Sequence, residues 1–394
     1  MKQAKFLFIL LILAQSLFAQ NKTINEFVAI DKKALQLPET QTKTTDNISD
    51  YIKANFKTDK EKSRAIFIWI ASNIKYDIEN MFAINFYEKE SDKILKPLLT
   101  RKGICENYAA LFKDICIKSG IKSYIIEGYT KQNGFTSYIP HAWCAAQIDG
   151  IWYLFDPTWG SGYVNNGKFF KKINNIYFMA KPTDLINSHI PFDYLWQFLN
   201  YPVTYQEFSE GKTKLNKSKP YFNYNDSIPV YESQDRIRQL ISSAYRIERN
   251  GIKNSLIYDR LQHIKLEIEN DRQNRIADLY NSASADYNDG INRFNDFIDY
   301  RNRQFIPKKT DSEIQNLINL ANDKLKESKS KLALISPTNP NTANMIIQLM
   351  RSVDDAVNHV NEQQEWLKVY FSKGKLGRKA MFIDKVTWFG IPLN

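Results

Sequence analysis

Cysteine and histidine are scarce in this sequence, which has three cysteines and four histidines among its 394 residues. The cysteines, Cys105, Cys116 and Cys144, fall in one segment. A disulfide-stapled secreted domain carries a larger and even number, so that class is excluded. At most one pair can form a disulfide, and the sequence leaves open whether Cys116 and Cys144 form it. The remaining thiol needs another purpose, and catalysis is the first to test.

The sequence also lacks metal-ligand spacing. His189, His263 and His359 stand without the neighbouring Cys, His or acidic residues that metal sites use. We therefore expect no metal and no cofactor. We interpret these three histidines as surface residues or as residues with satisfied hydrogen bonds.

No nucleic-acid recognition motif is present, although the formal net charge of +11 would suit an acidic partner. The lysines are scattered, and Asp and Glu are interleaved with them nearly everywhere. Nucleic acid is therefore not an expected partner.

Long apolar runs are absent after residue 18, where none approaches the roughly eighteen residues of a membrane span. Before that point, Lys2 and Lys5 precede an apolar run from Phe6 to Phe18, and Ala19 follows. This pattern predicts a signal peptide at 1–19, with an uncleaved anchor as the alternative. We expect an exported protein, periplasmic or extracellular.

The length and composition predict two domains after the signal peptide. We assign 20–205 to the first domain and 206–232, which is rich in Lys, Asn, Ser and Pro, to a linker. Residues 233–394 show apolar positions at helical spacing, interrupted by Pro and Asn. They predict an antiparallel, coiled-coil-like helical bundle.

Within the first domain the apolar period changes along the chain. Helices are predicted at 48–56, at 59–75 after the capping box Thr58–Glu61, and at 105–119; 76–100 is predicted as loop. Strands are predicted at 123–129, 141–148 and 151–155, the last two joined by an Asp149–Gly150 turn. The fold class is α+β with an antiparallel sheet.

Cys105 follows Gly103 at the predicted start of a helix. Unpaired N–H groups and the helix dipole favour a thiolate there. Cys116 lies on the inward face of the same helix, and Cys144 lies on the sheet face opposite His141. We interpret both as core residues, with a bridge between them or a regulatory role for Cys144 as alternatives.

The predicted hairpin also relates His141 to Asp156. A two-residue turn places Ile148 opposite Ile151. His141, Trp143 and Asp156 then share one face, and His141 and Asp156 are diagonal neighbours about 7 Å apart or less at their Cβ atoms. A register shifted by one residue would separate them.

Three motifs stand in this order: RKGICENYAALF at 101–112, HAW at 141–143 and YLFDPTW at 153–159. They resemble the core of the transglutaminase-like superfamily, and look closest to bacterial members grouped with kyphoscoliosis-peptidase-like proteins. The segment WIASNIKYD at 69–77 is also similar to that family. The resemblance covers residues 56–162. In place of the Asn that usually follows HAW in the family, this chain has Cys144.

The resemblance implies a papain-like α+β fold with Cys105 as nucleophile, His141 as base and Asp156 as the acid that orients it. Trp143 and Trp159 flank these positions and are equally interpreted as substrate-cleft or core residues, whereas Trp69 is interpreted as core. The backbone N–H of Cys105 is the expected oxyanion donor.

The expected function is that of an exported cysteine hydrolase, a peptidase or amidase acting on peptide or side-chain carboxamide bonds through a thioester. Protein-glutamine acyl transfer and a catalytically silent scaffold are the alternatives. Proteins or cell-wall peptides are the expected substrates, and the helical C-terminal domain is a candidate surface for a protein or surface partner. The sequence does not choose between water and an amine as the acceptor, and it does not give the oligomeric state.

Overall fold

A computed structural model describes residues 26–84, 88–131, 138–337 and 339–382. The predicted signal peptide at 1–19 lies outside these ranges. Contacts divide the chain into two compact units, 1–265 and 266–394. Among the described residues, no helix combines the length and the apolar character that crossing a membrane requires.

The first unit begins with helices that confirm three of the predicted segments. The capping box of Thr58 and Glu61 opens the second of these helices, and Cys105 is the first residue of the third. The helices up to this point are α1 (Val28–Ala34), α2 (Thr45–Asn55), α3 (Asp59–Asn73), α4 (Glu90–Thr100) and α5 (Cys105–Lys118), with a 3-10 turn at Glu39–Gln41.

Helix α4 contradicts the prediction that 76–100 is a loop. Pro97 lies inside this helix, where it cannot donate the hydrogen bond that Lys93 O would otherwise accept. Asn107 Nδ2 donates to that carbonyl instead, at 2.9 Å. A side chain of another helix thus compensates for the proline, and the sequence near Pro97 gives no sign of this contact.

The predicted α+β fold with an antiparallel sheet is confirmed. Four strands pair in the order β5-β4-β3-β8, from β3 (Ser123–Thr130), β4 (Ile139–Ile148), β5 (Ile151–Phe155) and β8 (His189–Pro191). Two smaller sheets pair β1 (Lys75–Tyr76) with β2 (Lys102–Gly103), and β6 (Gly162–Asn165) with β7 (Lys168–Lys171).

The hairpin register is also confirmed, since Ile148 is paired with Ile151 and Cys144 with Phe155. The turn residues Asp149 and Gly150 have φ of 50° and 81°, as a two-residue turn with both residues left-handed requires. The register therefore follows from turn chemistry that is readable in the sequence.

The two faces of the sheet support separate apolar cores. Ala142, Cys144 and Ala146 pack with α3 and α5 in one cluster, whereas Trp143 and Ala145 belong to the other. This alternation confirms that Cys144 points away from the face of Trp143. The nucleophile candidate Cys105 and the core thiol Cys116 both belong to the first cluster.

The remaining helices of the first unit include residues of the predicted linker at 206–232 and of the predicted bundle that begins at 233. Arg246 pairs with Asp193 at 2.6 Å, so residues after 233 pack within the first unit. The division falls between Lys265 and Leu266 instead. These helices are α6 (Pro157–Ser161), α7 (Pro182–Leu185), α8 (Tyr205–Ser209), α9 (Tyr224–Ser233) and α10 (Arg236–Asn250), with 3-10 turns at Asn175–Tyr177 and Tyr194–Gln197.

The second unit consists of the C-terminal part of α11 (Ser255–Asn302) with α12 (Asp311–Ala333), α13 (Pro340–Phe371) and α14 (Lys375–Ala380). Its long helices run antiparallel. Lys329 contacts Asp354 while Gln364 contacts Asn319, so later residues of α13 meet earlier residues of α12. Apolar residues of all three long helices form one core, as the helical periodicity predicted.

We expect Asn107→Ala to destabilise the first unit by about 2–4 kcal/mol, because it leaves two backbone groups without partners. The Asn107 side chain is 3% exposed, accepts from Ile104 N at 2.9 Å and donates to Lys93 O. Urea unfolding measures the change. Asn47→Ala, at an exposed position of α2, is the matched control and should change stability by less than about 0.5 kcal/mol. Equal effects of the two substitutions would contradict this account.

Candidate active site

Cys105 occupies the first position of α5, just after Gly103 packs closely against the first turn of that helix. A Cβ at Gly103 would lie 2.8 Å from Asn107 Cβ, so glycine is needed there for contact with the first turn. Since the first N–H groups of a helix have no partner four residues earlier, the N–H of Cys105 is available to a bound oxygen. The Cys105 side chain is 2% exposed.

His141 lies near the beginning of β4 and contacts Asp156, which follows β5. The distance between His141 Nε2 and Asp156 Oδ2 is 2.9 Å. Asp156 also begins helix α6, where its Oδ1 accepts from Thr158 N and Trp159 N at 2.9 and 3.1 Å. The hairpin register and the helix start together fix the carboxylate beside the imidazole.

His189 is the member of this site that the sequence analysis missed. It lies on β8, is 1% exposed, and places its Nε2 3.1 Å from the same Asp156 Oδ2. Its Nδ1 is 2.8 Å from Ser188 Oγ. The sequence predicted either a surface residue or one with satisfied hydrogen bonds, and His189 is the second. No spacing in the sequence indicated that it contacts Asp156.

The charges of the site support an imidazolium at His141. Burial alone would lower the pKa of His141, but the Asp156 carboxylate and the neighbouring Cys105 side chain raise it to about 10. Burial would raise the pKa of Asp156, yet His141 and His189 hold it well below its usual range. Burial lowers the pKa of His189, so this ring is neutral beside a charged one.

Two half-buried tyrosines, Tyr76 and Tyr177, lie near the three groups. Burial raises the pKa of Tyr76, and electrostatic interactions with Cys105 and Asp156 raise it further. Burial and the Asp156 charge likewise raise the pKa of Tyr177, to about 12. These phenols are therefore neutral at physiological pH and add no negative charge to the site.

The two candidate cleft tryptophans are placed differently. Trp143 is 1% exposed and stacks on His141 with 6.2 Å between ring centroids, so it packs as part of the core. Trp159 is half-buried, and its ring centroid lies 5.6 Å from that of His141 and 4.6 Å from that of His189. Trp159 is the better candidate for a substrate contact. Trp69 is 2% exposed and lies in the core, as predicted.

Cys116 and Cys144 are both free and buried, so the bridge that the sequence left open is not formed. Burial raises the pKa of each thiol well above its usual value. The Cys144 thiol donates to Ala109 O at 3.3 Å. Both are neutral core side chains, and neither is placed as a nucleophile.

One group among the described residues has the chemistry of a metal site. The ligand atoms of His141, Asp156 and His189 all lie within 4.8 Å of one another. Imidazole and carboxylate ligands suit zinc. However, both Nε2 atoms already lie at hydrogen-bonding distance from one carboxylate oxygen, and two backbone N–H groups use the other. The hydrogen bonds account for all three residues.

A family model matches the part of the chain that contains three of these residues. Residues 46–157 match the family model of the transglutaminase-like superfamily. The matched residues include Cys105, His141 and Asp156, but they end before His189.

Kyphoscoliosis peptidase of Homo sapiens is 33% identical over 204 residues, which are 50% of this chain and 30% of that protein. Hillarin of Drosophila melanogaster is 27% identical over 203 residues, 46% of this chain and 24% of its own length. The chain therefore spans less than a third of these relatives. The periplasmic domain of TgpA from Pseudomonas aeruginosa aligns over 33% of this chain and 47% of its own, with 19% identity and a TM-score of 0.24.

The raised pKa of His141 predicts a pH dependence of stability. This pKa rises from 6.5 in the unfolded chain to about 10 in the folded one. The contribution of His141 to the free energy of unfolding is therefore complete below pH 6.5 and is lost as pH rises through 10. We expect the stability difference between the native chain and His141→Gln to shrink by more than about 1 kcal/mol between those values in urea unfolding. The exposed His359→Gln is the control, and a difference that stays constant with pH would argue against a charged His141.

Proposed function

Because the chain belongs to the transglutaminase-like superfamily through residues 46–157, we propose that it is a cysteine hydrolase acting on peptide or side-chain carboxamide bonds. The observation that carries the proposal is the arrangement around His141. Asp156 lies 2.9 Å from its Nε2, and Cys105 is close enough to raise the pKa of the ring.

The first half of the reaction forms a thioester. The Cys105 thiolate attacks the carboxamide carbon, and the carbonyl oxygen becomes an oxyanion. His141, already protonated beside Asp156, donates its proton to the departing nitrogen as the C–N bond breaks. The pKa of about 10 suits this role, since it keeps the imidazole in its acidic form at neutral pH.

The N–H of Cys105 is the proposed oxyanion donor. It points out of the first turn of α5, where the helix dipole favours negative charge. A preorganised donor of this kind stabilises the tetrahedral intermediate without rearrangement of the chain.

In the second half of the reaction, the acyl group is transferred from Cys105 to an acceptor. His141, now neutral, takes a proton from water as the water oxygen attacks the thioester carbon, and the C–S bond breaks to release the acid and restore the Cys105 thiolate beside the protonated His141. An amine in place of water would give acyl transfer. We propose hydrolysis, with acyl transfer as the alternative that product analysis tests.

The remaining expectations are part of the same proposal. Proteins or cell-wall peptides are the proposed substrates, and export rests on Lys2, Lys5 and the apolar run that follows them. The second unit is proposed as a surface for a protein or surface partner, because its helices carry many exposed charged residues.

Iodoacetamide labelling tests the proposed nucleophile. The native chain should be labelled at Cys105 near about pH 6, since an imidazolium stabilises the thiolate. His141→Ala should move the midpoint towards about pH 8.5, and Cys105→Ala should abolish labelling. Mass spectrometry of the labelled peptides measures the rates. Cys116 and Cys144 serve as internal controls, because burial raises the pKa of each of these thiols well above its usual value. A midpoint near about pH 8.5 that His141→Ala does not move would favour the scaffold alternative.

Product analysis then assigns the acceptor. Incubation of a glutamine-containing peptide library, with and without a primary amine, should give free acids or cleaved peptides in both cases. Cys105→Ala should give neither product. Amine adducts as the main product would replace hydrolysis with acyl transfer, while the nucleophile would stand.

A further inference from the structure

The hydrogen-bond partners of His189 determine which ring nitrogen carries the proton. Its Nε2 faces the Asp156 carboxylate at 3.1 Å, and its Nδ1 faces Ser188 Oγ at 2.8 Å. A lone pair on Nε2 would oppose the negative oxygen, so Nε2 must carry the proton. Nδ1 then accepts from the Ser188 hydroxyl, which is able to donate.

The carboxylate of Asp156 consequently receives four donors. His141 and His189 share Oδ2, while the N–H groups of Thr158 and Trp159 share Oδ1. Asp156 is fully buried, so each oxygen depends on these donors for its charge to be tolerated. Without His189, the oxygen beside His141 would have one donor only.

We propose that His189 is a positioning residue of this site, which fixes Asp156 so that Asp156 can hold the protonated His141 towards Cys105. The inference rests on the proposed function, and it adds a residue outside the family match. His189 acts through Asp156 and does not itself transfer a proton to substrate. Ser188 sets the orientation of the His189 ring.

The charged and titratable groups near His189 are few. Asp156 and His141 contact it on one side, and the ring centroid of Tyr177 lies 6.0 Å from its own on another. Trp143 and Trp159 cover the remaining faces, with ring centroids 5.2 and 4.6 Å away. Since Tyr177 is neutral below about pH 12, Asp156 is the charge to which His189 responds.

Two substitutions separate positioning from mere packing. His189→Leu fills much of the space but has no donor, whereas His189→Gln retains an N–H that can reach Asp156. Loss of one hydrogen bond to a charged group should raise the midpoint of Cys105 labelling by about one pH unit in His189→Leu. His189→Gln should restore most of this shift, and His359→Gln should have no effect. Urea unfolding of each variant shows whether the fold is retained.

A direct test uses the full chain labelled with 15N at its four histidines. The nitrogen shifts of His189 should report a neutral ring protonated at Nε2 from about pH 7 to about pH 9, with His141 doubly protonated. Ser188→Ala should leave the tautomer protonated at Nε2 as the major one but lower its population. A chelator should change none of these signals, and a change on chelation would replace the positioning role with a metal site.

Several outcomes would overturn the inference. They are a His189 ring protonated at Nδ1, a charged His189, or His189→Leu that is folded and has the labelling profile of the native chain. A Leu variant that fails to fold leaves the nitrogen shifts of the native chain as the deciding measurement. Failure of the proposed function gives a different result. In that case Cys105 is unreactive towards iodoacetamide, while the nitrogen shifts still show a neutral His189 that donates to Asp156.

Discussion

The structure around the site depends on one buried charge. Asp156 is fully enclosed, and its carboxylate is stable there because two side chains and two backbone N–H groups donate to it. Those donors come from β4, β8 and the start of α6. The buried charge therefore depends on donors from three segments of the chain, and removing it from water is tolerable only when all of them are in place.

Local chemistry explains which parts could be predicted. The Asp149–Gly150 turn fixes the register of β4 and β5, so the proximity of His141 and Asp156 could be deduced from sequence alternation. The capping boxes beginning at Thr58 and Thr310 likewise mark their helices because both partners are three residues apart. The turn residues and capping residues lie within a few positions of the hairpin and the helices that they determine, so short sequence segments are enough to predict them.

The features that could not be predicted depend on distant partners. Helix α4 tolerates Pro97 because Asn107 supplies the missing hydrogen bond. His189 meets Asp156 because β8 pairs with the end of β3, and no spacing in the sequence announces that contact. The contact-based division between Lys265 and Leu266 depends on attachments such as that of Arg246 to Asp193, which amphipathic periodicity does not encode.

The short strand β8 has a consequence for synthesis. Its three residues follow Asp156 by more than thirty positions, and they pair with β3 at Gly128, Tyr129 and Thr130. A nascent chain that ends before residue 189 already carries the sulfur, the first imidazole and the carboxylate, but not the second imidazole. The buried acid then lacks one of its donors on the ribosome. The proposed positioning of His141 by Asp156 and His189 is therefore complete only after β8 has emerged.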